Sequence, residues 1–349
     1  MHRAPRAGAG AGDGPSPPAM DSTQGFRALI CFLTCNRNTR LRRYAPSYLE
    51  YCRRDRAFDF LVVLDGNDPA SVTFCGERDV PLLWSEAREG VKLAKNRALS
   101  RFPGYDCYFF IEDDAELLDL RVLREHVRVA RIGGFDHLCL FERGGARGVL
   151  GERRVAGHSV VFARHGGAQL TFFTRDGLER VGGWHTAFAQ YRRFGHTEHS
   201  YRFVHHGLAE AAFIVVETLA DCILWHYPPP VTAPRGVVAA SAASQLCELE
   251  EKLISDGLTF FPVQTLCAYH FNGMPLDGSR TSWVDELSFD RYPRLSRREK
   301  RLAWADHYVA LARTQSGWRR WASLAKAASR DPRNLGIRHI VKQLLLADR

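Results

Sequence analysis

No run in this 349-residue chain reaches the roughly 18 uncharged apolar residues that a bilayer-spanning helix needs. The N-terminus, MHRAPRAGAGAGDGPSPPAM, lacks the apolar stretch of a secretory signal. CxxC pairs are absent, and the nine cysteines form no disulfide-style framework. Several of them, Cys31, Cys107 and Cys139 included, lie inside apolar strand-like runs and read as small core residues. Such usage suits a reducing compartment, so the expectation is a soluble, cytoplasmic chain. Composition excludes more. With 45% hydrophobic and 25% charged residues, 29 Gly and 16 Pro, the chain is neither disordered throughout, collagen-like nor a coiled coil. At about 100–200 residues per domain, its length means one large domain with an appendage, or two domains.

The formal net charge of +9 is unevenly placed. From Arg291 to the end there are 15 Lys+Arg against 4 Asp+Glu, a net of +11. The preceding 290 residues hold 33 basic and 35 acidic groups, a net of −2. The main body is therefore near neutral and the tail is basic.

Residues 1–24 are rich in Gly, Ala, Pro and Ser without periodicity, and disorder is expected there. A regular pattern follows. Ala28–Thr34 (ALICFLT) is a continuous apolar run, as a strand buried on both faces would be. Further strands are expected at 58–64, 80–84, 107–111 and 137–141, with helices near 41–52, 89–101 and 120–130. Strands alternating with helices mean an α/β domain with a mostly parallel sheet. Beyond about Val231 the character changes, and residues 240–257 and 296–330 read as helical.

In open parallel sheets, ligands bind beyond the carboxyl ends of the strands. Three polar loops fall at such ends: Thr34-Cys35-Asn36-Arg37, Asp65-Gly66-Asn67-Asp68 and Glu112-Asp113-Asp114. The first has no glycine and GxGxxG is absent, which argues against a dinucleotide site; GxxxxGK[ST] is absent as well. Carboxylates where phosphates would sit make sense if a divalent cation bridges them, and hard oxygen ligands suit Mg²⁺ or Mn²⁺. That combination points to a nucleotide-diphosphate substrate. A plain turn would use the same Asp65–Asp68 residues. Acidic residues directly after CYFFI are harder to explain as a solvated face. A zinc hydrolase finds little support, since HExxH is absent although six of the 14 histidines lie between 185 and 226.

The order TCNR, LDGND, GVKLAKNRAL, FFIEDD, GGWHTAF, GHTEHSYRF resembles a GT-A glycosyltransferase of the family-2 type over roughly residues 26–228. The resemblance implies three segments: 1–24 disordered, a GT-A domain over 25–235 with helices flanking a mostly parallel sheet, and a helical, basic region over 236–349. It also implies a metal-dependent glycosyltransferase, a hexosyltransferase-like enzyme moving a sugar from a UDP-linked donor to an acceptor hydroxyl with inversion. Thr34, Asn36, Arg37 and Asp65 match the nucleoside-binding places, and Gly90, Lys95 and Asn96 those of the helix beside the nucleotide, where Lys95 would neutralise a phosphate. Glu112-Asp113-Asp114 matches the acidic motif written DxD, with Glu in first place. Asp114 would bind the metal, and Glu112 or Asp113 the ribose or the metal's water. His226 would complete the metal shell.

The usual catalytic Asp is missing, which leaves Glu198, slightly preferred, and His196 as candidates for the base. Two other classes stay open. A nucleotidyltransferase would carry a glycine-rich basic loop after the first strand, and a non-catalytic GT-A-like scaffold would fit the missing Asp. For the tail, GWRRWASLAKAASR reads as a helix with Trp318, Trp321, Ala325 and Ala328 on one side. Peripheral contact with the inner face of a membrane holding a lipid-linked acceptor, an anionic glycan, and packing onto the main domain are the competing uses; nucleic acid is not expected.

Overall fold

The computed structural model describes residues 26–189, 194–226, 240–257, 260–276 and 316–334, with individual positions between 298 and 312 and between 336 and 341. The expectations for residues 1–24 and for a boundary at 230–240 fall largely outside them.

Strands β1 (Ala28–Thr34), β2 (Phe58–Leu64), β3 (Leu82–Trp84) and β4 (Cys107–Glu112) lie side by side in the order β3-β2-β1-β4 and run parallel. β1 and β2 are buried along their whole length, because helices cover both faces of this half of the sheet. Helix α1 (Asn38–Arg54) turns Leu41, Tyr44, Ala45, Tyr48 and Tyr51 inward at helical spacing, and Tyr48 stacks on Phe60 with ring centroids 5.1 Å apart. Helix α2 (Pro69–Glu77) starts on Asp68, whose carboxylate accepts from the Ser71 N–H, with Pro69 in the first turn. Helix α3 (Val91–Arg101) covers the opposite face.

Past β4 the directions mix. After β5 (Ala115–Leu117), helix α4 (Arg121–Gly133) leads into β6 (His137–Leu140), then the hairpin β7 (Arg147–Val155) and β8 (His158–His165), then β9 (Leu170–Thr174). Helices α5 (Arg175–Val181) and α6 (His196–His205) precede β10 (Phe213–Val216) and β11 (Ile223–Trp225). Helix α7 spans Ala240–Asp256, and β12 (His270–Phe271) pairs antiparallel with β3. The ten-stranded order is β12-β3-β2-β1-β4-β9-β6-β10-β8-β7, and β11 and β5 form a separate antiparallel ribbon. Parallel pairing is thus concentrated where the three polar loops emerge. The region after 236 contributes helices and also this edge strand.

Two junctions lock the core. Arg97 of α3, fully buried, donates to Glu89 from Nε (3.1 Å) and NH2 (2.7 Å) and to the Leu64 carbonyl at the end of β2 (3.0 Å). Burial opposes ionisation of Glu89, but Arg97 and the N–H groups of Cys267 and Leu266 outweigh it and hold the carboxyl below its ordinary range. This side chain ties Leu266 and Cys267 to the main sheet, beside the pairing of β12 with β3. The second junction is Gly182-Gly183-Trp184. Asn96 bonds both the Trp184 N–H (2.8 Å) and carbonyl (2.9 Å), and Gly183 N–H donates to the Phe261 carbonyl (2.8 Å). Gly182 has φ +76°, and a Cβ there would fall 1.8 Å from the Phe261 oxygen, so the approach requires glycine.

Replacing Arg97 with Met leaves Glu89 buried without its cation. Urea unfolding should show a loss of about 3–5 kcal/mol, while a loss under about 1 kcal/mol would mean that the ion pair carries little of the junction.

Candidate functional site

The three polar loops meet at one end of the parallel strands. β1 and β4 are direct neighbours, so the Thr34 and Asp113 loops touch: Thr34 Oγ1 donates to Asp113 Oδ2 at 2.8 Å. The Arg37 guanidinium bonds Asp113 Oδ1, while Arg40 donates to the Asp113 carbonyl at 3.1 Å. Asp113 is buried and saturated by β1 and α1, and with it Thr34 and Arg37 are committed to shaping the loop. Asn36 sits at the exposed bend with φ +51°, a left-handed conformation that Asn tolerates better than most residues.

Asp65 lies apart from that network. It accepts from the N–H groups of Glu89 (2.7 Å) and Gly90 (3.0 and 2.9 Å) and so anchors the start of α3. Burial raises its carboxyl above the ordinary range despite these bonds. α3 has almost no exposed side before Ser100: Lys92, Lys95, Asn96 and Arg97 are all buried. Asn96 is occupied by the Trp184 backbone, as described. Lys95 Nζ lies 3.7 Å from Glu112 Oε1 and within 5.2 Å of the Trp184 ring centroid. Burial lowers the pKa of Lys95, and it draws Lys92 down to about 8, with Glu112 opposing. Two buried cations thus face one half-exposed carboxylate.

Asp114 differs from its neighbours. Its Oδ1 is buried and has no hydrogen-bond partner among the described residues. Burial pushes its pKa up to about 6, the charge of Glu112 adds to that, and the Trp225 indole works against it. A half-buried carboxylate crowded by a second one, with a buried oxygen that no described residue bonds, suits a divalent cation. Mg²⁺ and Mn²⁺ take one or two carboxylates and complete their shell with water and phosphate oxygens, so Asp114 and Glu112 fit as the protein's share. His226 is placed differently. Its N–H bonds the Asp114 carbonyl at 2.7 Å, yet its ring Nε2 is 2.6 Å from Glu116 Oε2, which Arg43 also holds at 3.1 Å. Among the described residues no three His, Cys, Asp or Glu side chains gather as a metal cage.

The two candidates for the base lie on α6. Glu198 receives both Arg202 Nε and NH2 at 2.6 Å, and the pair is almost fully buried. Arg202 also donates to the carbonyls of Val181 and Gly183, and His199 stacks on Trp184 with centroids 4.2 Å apart. His196 starts the helix. Burial lowers its pKa to about 3, helped by the charges of Lys92 and Lys95, so the imidazole is neutral. Glu250 of α7 caps this end, accepting from Gly195 N–H at 2.7 Å and Glu198 N–H at 3.4 Å.

Glu89, Arg97, Arg40, Lys92 and Glu250 were not among the residues expected from the motifs. A signal did exist for Arg97 and Lys92: GVKLAKNRAL offers no polar face, so its charged residues had to be buried. Glu250 carries no such mark, since ELEEKL reads as a solvated helix.

No protein-family model matches the chain, and no curated protein matches it in sequence. Among solved structures it aligns with the mannosyltransferase PcManGT of Pyrobaculum calidifontis, in complex with GDP-Man and Mn²⁺. That alignment has 16% identity over 97% of this chain and 85% of the other, with a TM-score of 0.44. GalNAc-T7 with UDP, GalNAc and Mn²⁺ aligns at 11% identity over 66% of this chain and 50% of its own, TM-score 0.48. The catalytic domain of Drosophila β1,4-galactosyltransferase 7, in complex with xylobiose, gives 12%, 64%, 79% and 0.41. These three solved structures are glycosyltransferases, and the likeness is one of fold.

Proposed function

We propose that the chain is a metal-dependent glycosyltransferase, moving a sugar from a UDP-linked donor to an acceptor hydroxyl with inversion. The observation that carries the reading is Asp114: a half-buried carboxylate whose buried Oδ1 bonds nothing among the described residues, beside Glu112, which two buried lysines face. Carboxylates with buried lysines facing them suit a cation and a diphosphate together. Asp114 and Glu112 would hold Mn²⁺ or Mg²⁺, and charge neutralisation on the leaving diphosphate is what such an ion supplies. Lys95 adds to that neutralisation from the other side, with Arg37, Asn36 and Asp65 bordering the nucleoside. His226 orients the loop through Glu116 and the Asp114 carbonyl. The acceptor is a glycan or lipid-linked hydroxyl, and peripheral membrane contact through the basic C-terminal region belongs to the same reading.

For the acceptor proton, His196 is the freer of the two α6 candidates, because both oxygens of Glu198 face Arg202. Burial is the main cause of the low basicity of the imidazole, and an anionic diphosphate beside Lys92 and Lys95 would offset only the smaller part due to their charge. Glu198 then acts as the anchor that holds the Gly182–Trp184 wall through Arg202. The same occupation of Glu198 favours a second reading, a donor-binding scaffold without turnover.

The deciding experiment is release of UDP from UDP-sugars with Mn²⁺, comparing wild type with Asp114→Asn. Turnover in the wild type and its loss in the variant are expected; no turnover with any nucleotide-sugar selects the scaffold. Asp114→Asn also has a stability signature. The folded pKa is raised, so the ionised form costs stability above about pH 6 and this cost fades as pH falls through that value. Without metal at neutral pH, the variant should be more stable by on the order of 2 kcal/mol, converging with wild type in acid. A variant less stable than wild type would make Asp114 a structural residue.

His196→Gln should leave the melting temperature unchanged and lower kcat by about 10²–10⁴-fold. Glu198→Gln uncouples Arg202 and should lower stability by about 3 kcal/mol. The reverse pattern would return the base to Glu198.

A further inference from the structure

The helix Gly317–Arg330 has two apolar faces, and among the described residues only one is covered. Ser323, Leu324 and Ala327 are buried, Leu324 and Ala327 in a cluster with Tyr308, Val309, Ala312 and Leu224 of β11. Trp318, Trp321, Ala322 and Ala325 recur at i, i+3, i+4 and i+7, the spacing of a single helix face. That face points away from the cluster. Trp318 is 75% exposed and Trp321 50%, the largest exposed aromatic surface among the described residues. Arg319 is exposed along its flank, while Lys326 turns its ammonium to Glu142 (3.7 Å) and the Tyr308 ring.

We propose that this face docks on the surface of a bilayer containing anionic lipids. The argument combines shape with charge. Tryptophan has an apolar body and an N–H donor, which suits the headgroup boundary better than either water or a dry interior. The cations beside it belong to a segment of net +11 in a chain whose remainder is −2, so attraction to an anionic surface is local to this end of the molecule. Among the described residues no helix is long and apolar enough to cross the membrane, so the helix would lie in the interface plane. Its seat decides what is brought to the lipid. Leu118 and Leu224 of the β5/β11 region pack in the same cluster, and Trp225 of β11 adjoins Asp114. A docked helix therefore holds the acidic loop one layer from the headgroups. This deepens the membrane contact proposed above by naming the face and the lipid charge, rests on that part of the reading, and does not depend on turnover.

The test is flotation of the full chain with phosphatidylcholine vesicles, with and without phosphatidylglycerol, at low salt. Recovery should rise about tenfold or more with the anionic lipid. The double variant Trp318→Ser/Trp321→Ser should lose about tenfold of that binding with its melting temperature unchanged, because both side chains are exposed. Arg319→Glu should weaken it too, and added salt should weaken the wild type. The proposal is overturned if anionic vesicles recover no more chain than neutral ones, or if the tryptophan variant binds like wild type. Retention on RNA or heparin without vesicle binding overturns it in favour of a polyanion site. UDP release, assayed separately without lipid, distinguishes failure of docking from failure of the transferase reading.

Discussion

The site depends on burying charge in α3 without leaving any of it unpaired at its first turn. Arg97 could not stand inside the protein alone, since an isolated buried cation is prohibitively costly. Glu89 answers it, the Leu64 carbonyl takes a third N–H, and the second Glu89 oxygen reaches the N–H groups of Leu266 and Cys267. One ion pair thereby ties the end of β2, the start of α3 and a segment nearly 180 residues away in sequence. Once α3 is fixed, Lys92 and Lys95 are fixed with it, opposite Glu112.

Against that rigid wall the acidic loop divides its labour by hydrogen bonding. Asp113 is satisfied by Thr34 and Arg37 and so becomes part of the scaffold. Glu112 leans toward Lys95. Asp114 is left with an oxygen that nothing in the described protein satisfies. A group of this kind costs stability in the absence of a ligand, and functional sites are where such costs are tolerated. The pattern runs opposite to that of a structural ion pair, in which both members find their partners within the chain, as Glu198 and Arg202 do.

Much of this architecture could be read from the sequence. Ala28–Thr34 and Phe58–Leu64 form strands over the expected residues, because a run apolar at every position has no alternative to burial on both faces. β7 was illegible for the inverse reason: all but its last residue are exposed, so RGVLGERR carries no apolar alternation to betray a strand. The polar loops were legible as a set, since strand ends mark where ligands gather. Their internal division was not. Which carboxylate is spent on Arg37 and which is left over depends on the register of β1 against β4 and on the path of α1, neither of which a motif encodes. His226 illustrates the same limit: its place after CILWH suggested the metal, and the side chain faces Glu116. The C-terminal helix was legible as amphipathic, but only packing shows that Leu324 and Ala327 face inward and Trp318 outward.

The central claim is that Asp114 and Glu112 await a cation that arrives with a nucleotide diphosphate. The most direct measurement is the melting temperature of the full chain against free UDP, GDP and their sugars, each with and without Mn²⁺. Binding that favours the folded state raises stability by mass action, by about 2.7 kcal/mol at a hundredfold excess over Kd. The account requires stabilisation by a UDP species that appears only with the metal. No shift with any nucleotide, or an equal shift with and without Mn²⁺, would contradict it.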